Sequence, residues 1–219
     1  MKNVFIVGGS GKIARRLAQQ LSARGHTPQS LHRHAEQAEE LKALGATPVH
    51  GDLLELNVNA LAQLMAGSDV VVFSAGAGGK GGPDMTNAID GHGLELAVAA
   101  AQKAGIGRFL LVSAFPEASR GKQVSETFEN YMAVKKRADV HLAKTDLDWV
   151  IVRPGLLLDA PGSGKVRAGL AIPYGDVARD DVAATLVEII ERPEVSRVII
   201  ELTQGDMPVD QAVQRLARA

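Results

Sequence analysis

Apolar residues follow two alternating rhythms along the chain. Val4 to Val7 is a short apolar run rich in β-branched side chains, and from Ile13 the apolar positions Ile13, Leu17 and Leu21 recur with helical spacing. The alternation repeats. Short apolar runs at Pro28–Leu31, Thr47–His50, Asp69–Ser74, Arg108–Ser113, Asp148–Arg153 and Arg197–Leu202 predict strands. Between and after them, helical patterns run over Ala35–Leu44, Asn59–Met65, Thr86–Ala104, Ser125–Lys144, Asp180–Glu191 and Val209–Arg218, several stopped by Gly45, Gly105 or Pro193. Strands without polar alternation, joined by helices, predict an α/β fold: a parallel, doubly wound sheet with right-handed crossovers. The glycine-rich stretch Ala75–Gly82 follows a strand and is expected to be a loop.

Composition changes this picture mainly by exclusion. The 219 residues are 46% hydrophobic, enough for one domain with a large aliphatic core and too few for two full ones. A formal net charge of −1 without a basic run gives no footprint for nucleic acid or anionic membrane, so the expected partner is a small molecule and the expected state a monomer or small homo-oligomer. Having no cysteine, the chain has no disulfide, thiolate nucleophile or cysteine metal site. It also has no signal-like N-terminus and no apolar stretch of spanning length, and the expectation is a cytoplasmic protein.

The turn between the first strand and helix carries the first candidate chemistry. Gly8-x-x-Gly11-x-x-Ala14 places glycine where the chain turns sharply, glycine where a pyrophosphate approaches the backbone, and a small residue where helix packs on strand. The same glycines would also serve a tight turn with no ligand. At the end of the second strand, Leu31-His32-Arg33-His34 lacks the acid that holds a ribose 2′-hydroxyl, and Arg33 suits a 2′-phosphate, which favours NADP(H) over NAD(H). Asp52, after the third strand, is placed either to accept from an adenine amino group or to cap the next turn. Ala75 and Gly76, after the fourth, are small enough for a ribose or nicotinamide to lie on the backbone.

Together, Val7-Gly8-Gly9-Ser10-Gly11-Lys12-Ile13-Ala14, Leu31-His32-Arg33, Gly51-Asp52-Leu53, the stretch Ala104 to Ser113 and Val152-Arg153-Pro154-Gly155 resemble the atypical short-chain dehydrogenase/reductases, in particular the NAD-dependent epimerase/dehydratase-like and NADH-flavin-reductase-like proteins. The resemblance spans nearly the whole chain and implies a Rossmann-type αβα domain. It implies cofactor contacts at Gly8, Ser10, Gly11, Lys12, Ile13, Arg33, Asp52, Leu53, Ala75, Gly76, Lys135 and Pro154. Ala14 replaces the usual third glycine.

The short-chain family uses a tyrosine with a lysine four residues later, and this chain has Tyr131-Met132-Ala133-Val134-Lys135. On a helix the pair shares one face, where the ammonium is expected to draw the phenol pKa down from about 10 towards the working range of a general acid/base. Ser113 ends the preceding strand and is expected to reach the same substrate oxygen. Asp90 stands where the resemblance places an aspartate instead of the usual asparagine, either positioning water or the helix backbone near the nicotinamide or balancing a helix dipole as a first-turn acid. No histidine has metal-ligand spacing, and no metal is expected. The resulting expectation is an NADP(H)-binding reductase or epimerase. Two rival readings are an NADP-binding regulator without turnover and a flavin reductase that needs no Tyr131. Substrate selectivity is expected from residues 114–127 and 155–175.

Overall fold

A computed structural model describes residues 1–217; Arg218, the expected end of the last helix, lies outside the described residues. The apolar strand runs divide their side chains between two cores. In β1 (Asn3–Val7), Val4 and Ile6 enter one core while Phe5 and Val7 enter the other, and β4 (Val70–Phe73) divides in the same way. Full burial on both faces is why these runs show no polar alternation. β2 (Thr27–His32), β3 (Thr47–His50), β5 (Arg108–Val112), β6 (Asp148–Pro154) and β10 (Val198–Gln204) complete a parallel set in the order β3-β2-β1-β4-β5-β6-β10.

Helices cover both faces. On one, α1 (Lys12–Ala23) packs against α7 (Arg179–Glu191), joined by Leu41 of α2 (Gln37–Ala43) and Val213 of α8 (Val209–Leu216). On the other lie α3 (Val58–Met65), α5 (Gly93–Lys103) and α6 (Glu126–Ala143). Asn57 and Ser125 cap α3 and α6 by accepting from Ala60 N at 3.0 Å and Phe128 N at 3.2 Å. The fold is thus the doubly wound Rossmann type.

Two features differ from expectation. The helix expected over Thr86–Ala104 begins earlier, with α4 (Gly82–Thr86), and passes through a π-helical turn at Asn87–His92 before α5. Residues 155–175, for which the apolar pattern predicts no strand, supply β7 (Leu156–Leu158) and β8 (Lys165–Gly169). β7 pairs with β9 (Asp176–Ala178), and β8 pairs antiparallel with β10 and with β11 (Met207–Pro208). The loop between β7 and β8 is fixed at the start of α7. Asp181 accepts from Ser163 N at 3.0 Å and Gly164 N at 2.9 Å, and Asp180 accepts from Gly162 N at 3.0 Å. Among the described residues no helix is long and apolar enough to cross a membrane.

Gly155, where β6 gives way to β7, has no room for a side chain: a Cβ would stand 1.9 Å from the Gly175 carbonyl oxygen. Gly155→Ala is therefore expected to destabilise the protein by about 1–3 kcal/mol through backbone overpacking. Gly107→Ala, where a Cβ meets nothing within 4 Å, serves as the control. Urea midpoints of the two variants check the difference.

Candidate cofactor and substrate site

Strand order reverses between β1 and β4, opening a crevice beyond their carboxyl ends. Two loops meet there at minimal separation. Gly8 has φ +81°, and a Cβ on it would lie 2.6 Å from Ala75 Cα; a Cβ on Gly9 would lie 2.5 Å from Ser30 Cβ. The glycines thus let the β1 turn nest against the ends of β2 and β4. Gly11 then begins α1 with no side-chain cap and no acid in the first turn, leaving the helix amides and dipole free for an anion. Ser10 Oγ is buried and has no hydrogen-bond partner among the described residues. Uncapped amides, an unpaired hydroxyl and absent side chains fit a dinucleotide diphosphate, which goes beyond the needs of a tight turn.

Two cavities meet at this turn and share Ser74, Ala75 and Gly76. The first, of about 340 Å³, is lined by Gly8, Ser10, Gly11, Arg33, Asp52 and Leu53, among others. Arg33 is half-exposed and donates from Nε to His34 Nε2 at 3.1 Å, with Asp52 Oδ2 at 4.0 Å. Asp52 Oδ1 accepts from Leu54 N at 2.9 Å, the capping alternative. Lys80, from the glycine-rich loop, and His34 line this cavity as further cationic or protonatable groups.

The second cavity, of about 590 Å³, is lined by Lys12, Ile13, Asp90, Ser113, Tyr131 and Lys135, with Leu157 and Arg179 on its far wall. Helix α6 carries Tyr131 and Lys135 to the same cavity, so the spacing places both side chains as expected. Their electrostatics differ from expectation. Lys135 Nζ donates to the Val112 carbonyl at 3.0 Å and lies 3.7 Å from Asp90 Oδ1. Burial pulls its pKa below the usual lysine value, while Asp90 and Asp139 oppose the shift. The Tyr131 phenol is pushed up to about 12, chiefly by burial and further by the negative charges of Asp90 and Asp139. The expected downward shift is therefore reversed, because Asp90 answers the ammonium charge and two carboxylates face a desolvated phenol.

Ser113 Oγ is buried in the same wall without a partner among the described residues. Asp90 sits on the π-helical turn, where Oδ2 accepts from Ala77 N at 2.9 Å and Oδ1 would lie 2.9 Å from a Cβ on Gly76. The carboxylate thereby holds the backbone of the loop that divides the cavities, while also standing in the first turn of the π-helical segment. Asp139 forms a buried ion pair with Arg153, accepting on Oδ2 at 2.8 and 2.9 Å. Pro154 is buried at the end of β6, opposite Leu202, and lines neither cavity. Sequence reasoning missed Lys80, Arg179 and Asp159. The only signal available was a lysine within the glycine run and an arginine opening a helix beside two acids.

The sequence profile of the NAD(P)H-binding family matches residues 8–193. The uncharacterised sugar epimerase YhfK of Bacillus subtilis is 35% identical, with 97% of this chain and 99% of that protein covered. A Bacillus halodurans structure classed as an NAD-dependent epimerase/dehydratase is 32% identical, has a TM-score of 0.90, and is covered over 100% of its length by 98% of this chain. The oxidoreductase ylbE of Lactococcus lactis superposes with a TM-score of 0.86 at 25% identity, over 99% of this chain and 97% of that one. With the glycine turn at Gly8–Gly11 between β1 and α1, the chain belongs to the NAD(P)H-binding family, within the atypical short-chain dehydrogenase/reductases.

Proposed function

We propose that the protein is an NADPH-dependent reductase of a small carbonyl compound, with Tyr131 as proton donor. The observation that carries this reading is the shared wall of the second cavity. Along it, a buried, protonated phenol and the unpaired Ser113 Oγ lie beside the loop that the first cavity also uses. In this arrangement the Gly8–Ile13 amides and Ser10 would hold the diphosphate, Arg33 would take the 2′-phosphate, and Ala75 and Gly76 would leave room for the nicotinamide ribose. The chemistry such a cofactor would supply when bound is hydride for the carbonyl carbon. Ser113 donates a hydrogen bond to the carbonyl oxygen, and the Tyr131 phenol gives that oxygen its proton; water then reprotonates the phenolate. Burial and the nearby carboxylates keep the phenol protonated throughout the neutral range, the form a proton donor needs. Lys135 stays with Asp90 and Val112 O and fixes the floor of the cavity.

Three outcomes are expected. Arg33→Ala weakens NADPH binding about tenfold to a hundredfold, roughly 1.5–3 kcal/mol for one charge-assisted contact, and leaves NADH binding nearly unchanged. Calorimetric titration decides this, and equal wild-type affinities for the two cofactors would refute the preference. Tyr131→Phe keeps NADPH affinity and lowers carbonyl reduction by about 10²–10⁴-fold. Full carbonyl activity in that variant removes the donor role, and activity confined to free flavin supports the flavin-reductase reading instead. The acid form of the phenol is the competent one and persists until the pH nears its pKa. Wild-type kcat/KM for reduction is therefore expected to show no alkaline decline from Tyr131 between pH 6 and 10; loss with a midpoint near pH 8 contradicts the assignment.

A further inference from the structure

The second cavity carries more positive charge than its own residues balance. Lys12, Lys135 and Arg179 line it, while Asp90 is the one acid among its lining residues and is already engaged with Lys135 and Ala77 N. The remaining two cations share a carboxylate from outside the lining: Asp159 Oδ2 meets Lys12 Nζ at 2.5 Å, and Oδ1 meets Arg179 Nη1 at 2.9 Å. Arg179 is also unusually placed for a cation, since it opens α7, where the helix dipole disfavours positive charge. Nη1 donates also to the Leu157 carbonyl at 3.2 Å, which holds the guanidinium against β7; among the described residues Nε and Nη2 have no partner. Part of the planar fork that pairs with an oxyanion is thus fixed beside the cavity and unused.

Resting on the reductase reading above, we infer that the substrate carries an anionic group, a carboxylate or phosphate ester, which Arg179 receives with Lys12 in exchange for Asp159. The resident pair is suited to exchange. Lys12 and Asp159 are both more than half exposed, and ion pairs of that kind are weak and screened by salt. The cofactor diphosphate is the rival source of the anion, because Lys12 opens α1 beside the glycine turn. Arg179 lines the cavity of Ser113 and Tyr131 and is absent from the lining of the other, which places it on the substrate side; because Lys12 and Ile13 line the same cavity, the NADPH affinity of Arg179→Gln separates the two sources.

The test uses ω-amido carboxylates of graded length, from oxamate to glutaramate, each beside its uncharged diamide, titrated calorimetrically into NADP⁺-saturated protein. The amide stands in for the carbonyl and is not reduced. At least one acid is expected to bind tenfold or more tightly than its diamide; Arg179→Gln removes the preference, Arg179→Lys restores part of it, and Asp159→Asn tightens acid binding several-fold. Phosphoglycolamide provides the phosphate arm. NADPH affinity of Arg179→Gln is measured in parallel, and a tenfold loss there assigns the arginine to the cofactor and overturns the inference. So does a series in which no acid distinguishes wild type from Arg179→Gln. Reduction of ω-oxo acids and their methyl esters keeps the two readings apart. Arg179-dependent acid binding without turnover of either sustains the subsite and removes the reductase. Turnover with an acid-to-ester ratio indifferent to Arg179 sustains the reductase and removes the subsite.

Discussion

The close approach of Gly8 to Ala75 is the contact on which the site depends. A Cβ at Gly8 would lie inside the backbone of the β4 loop, so a left-handed glycine is required for β1 and β4 to end side by side with their loops in contact. That contact opens the crevice at the change of strand order and aims the uncapped end of α1 into it. It also places Ser74–Gly76 where both cavities use them. Every other functional side chain is positioned relative to this junction: Arg33 by β2, which pairs with β1, and Ser113 by β5, which pairs with β4.

Around the second cavity, charge is arranged in linked pairs at decreasing depth. Asp139 with Arg153 is buried, and so is Asp90 with Lys135; Asp159 with Lys12 and Arg179 reaches solvent. Desolvation makes the inner pairs costly to separate, whereas the outer one is exchangeable. The phenol of Tyr131 takes its high pKa chiefly from burial and further from the carboxylates of the two inner pairs, Asp90 and Asp139. Charge thus runs from fixed at the bottom of the cavity to replaceable at its rim.

Much of this was legible in the sequence. Buried parallel strands announce themselves by unbroken apolar runs, and the glycine turn by its spacing between strand and helix. Tyr131 and Lys135 were placed on one face by helical geometry alone. What spacing could not convey was their surroundings: Asp90 is distant in sequence from Lys135, and only the π-helical turn brings its carboxylate between the lysine and Ala77 N. That turn was itself hidden, since an i→i+5 segment within a long helical pattern leaves the hydrophobic spacing nearly intact. The strands of residues 155–175 were missed for a different reason. Lys165-Val166-Arg167-Ala168-Gly169 has charged and small residues typical of a strand near a sheet edge, and pairing with β10 gives it strand form. Asp159 and Arg179 became visible as a pair only once β7 and β9 had closed.

The pairing of these late strands sets an order of assembly. β7 pairs with β9, and β8 pairs with β10 and β11, so neither has its sheet partner until chain well beyond it has been made. The crevice between β1 and β4, by contrast, needs nothing beyond residue 76 for its two loops to meet. Long-range pairing pays its loop-closure entropy before it is rewarded, and β7 and β8 gain their strand partners later in synthesis than β1 and β4 do. In a nascent chain the glycine turn can meet Ala75 before Arg179 and Asp159 have been brought together across β7 and β9.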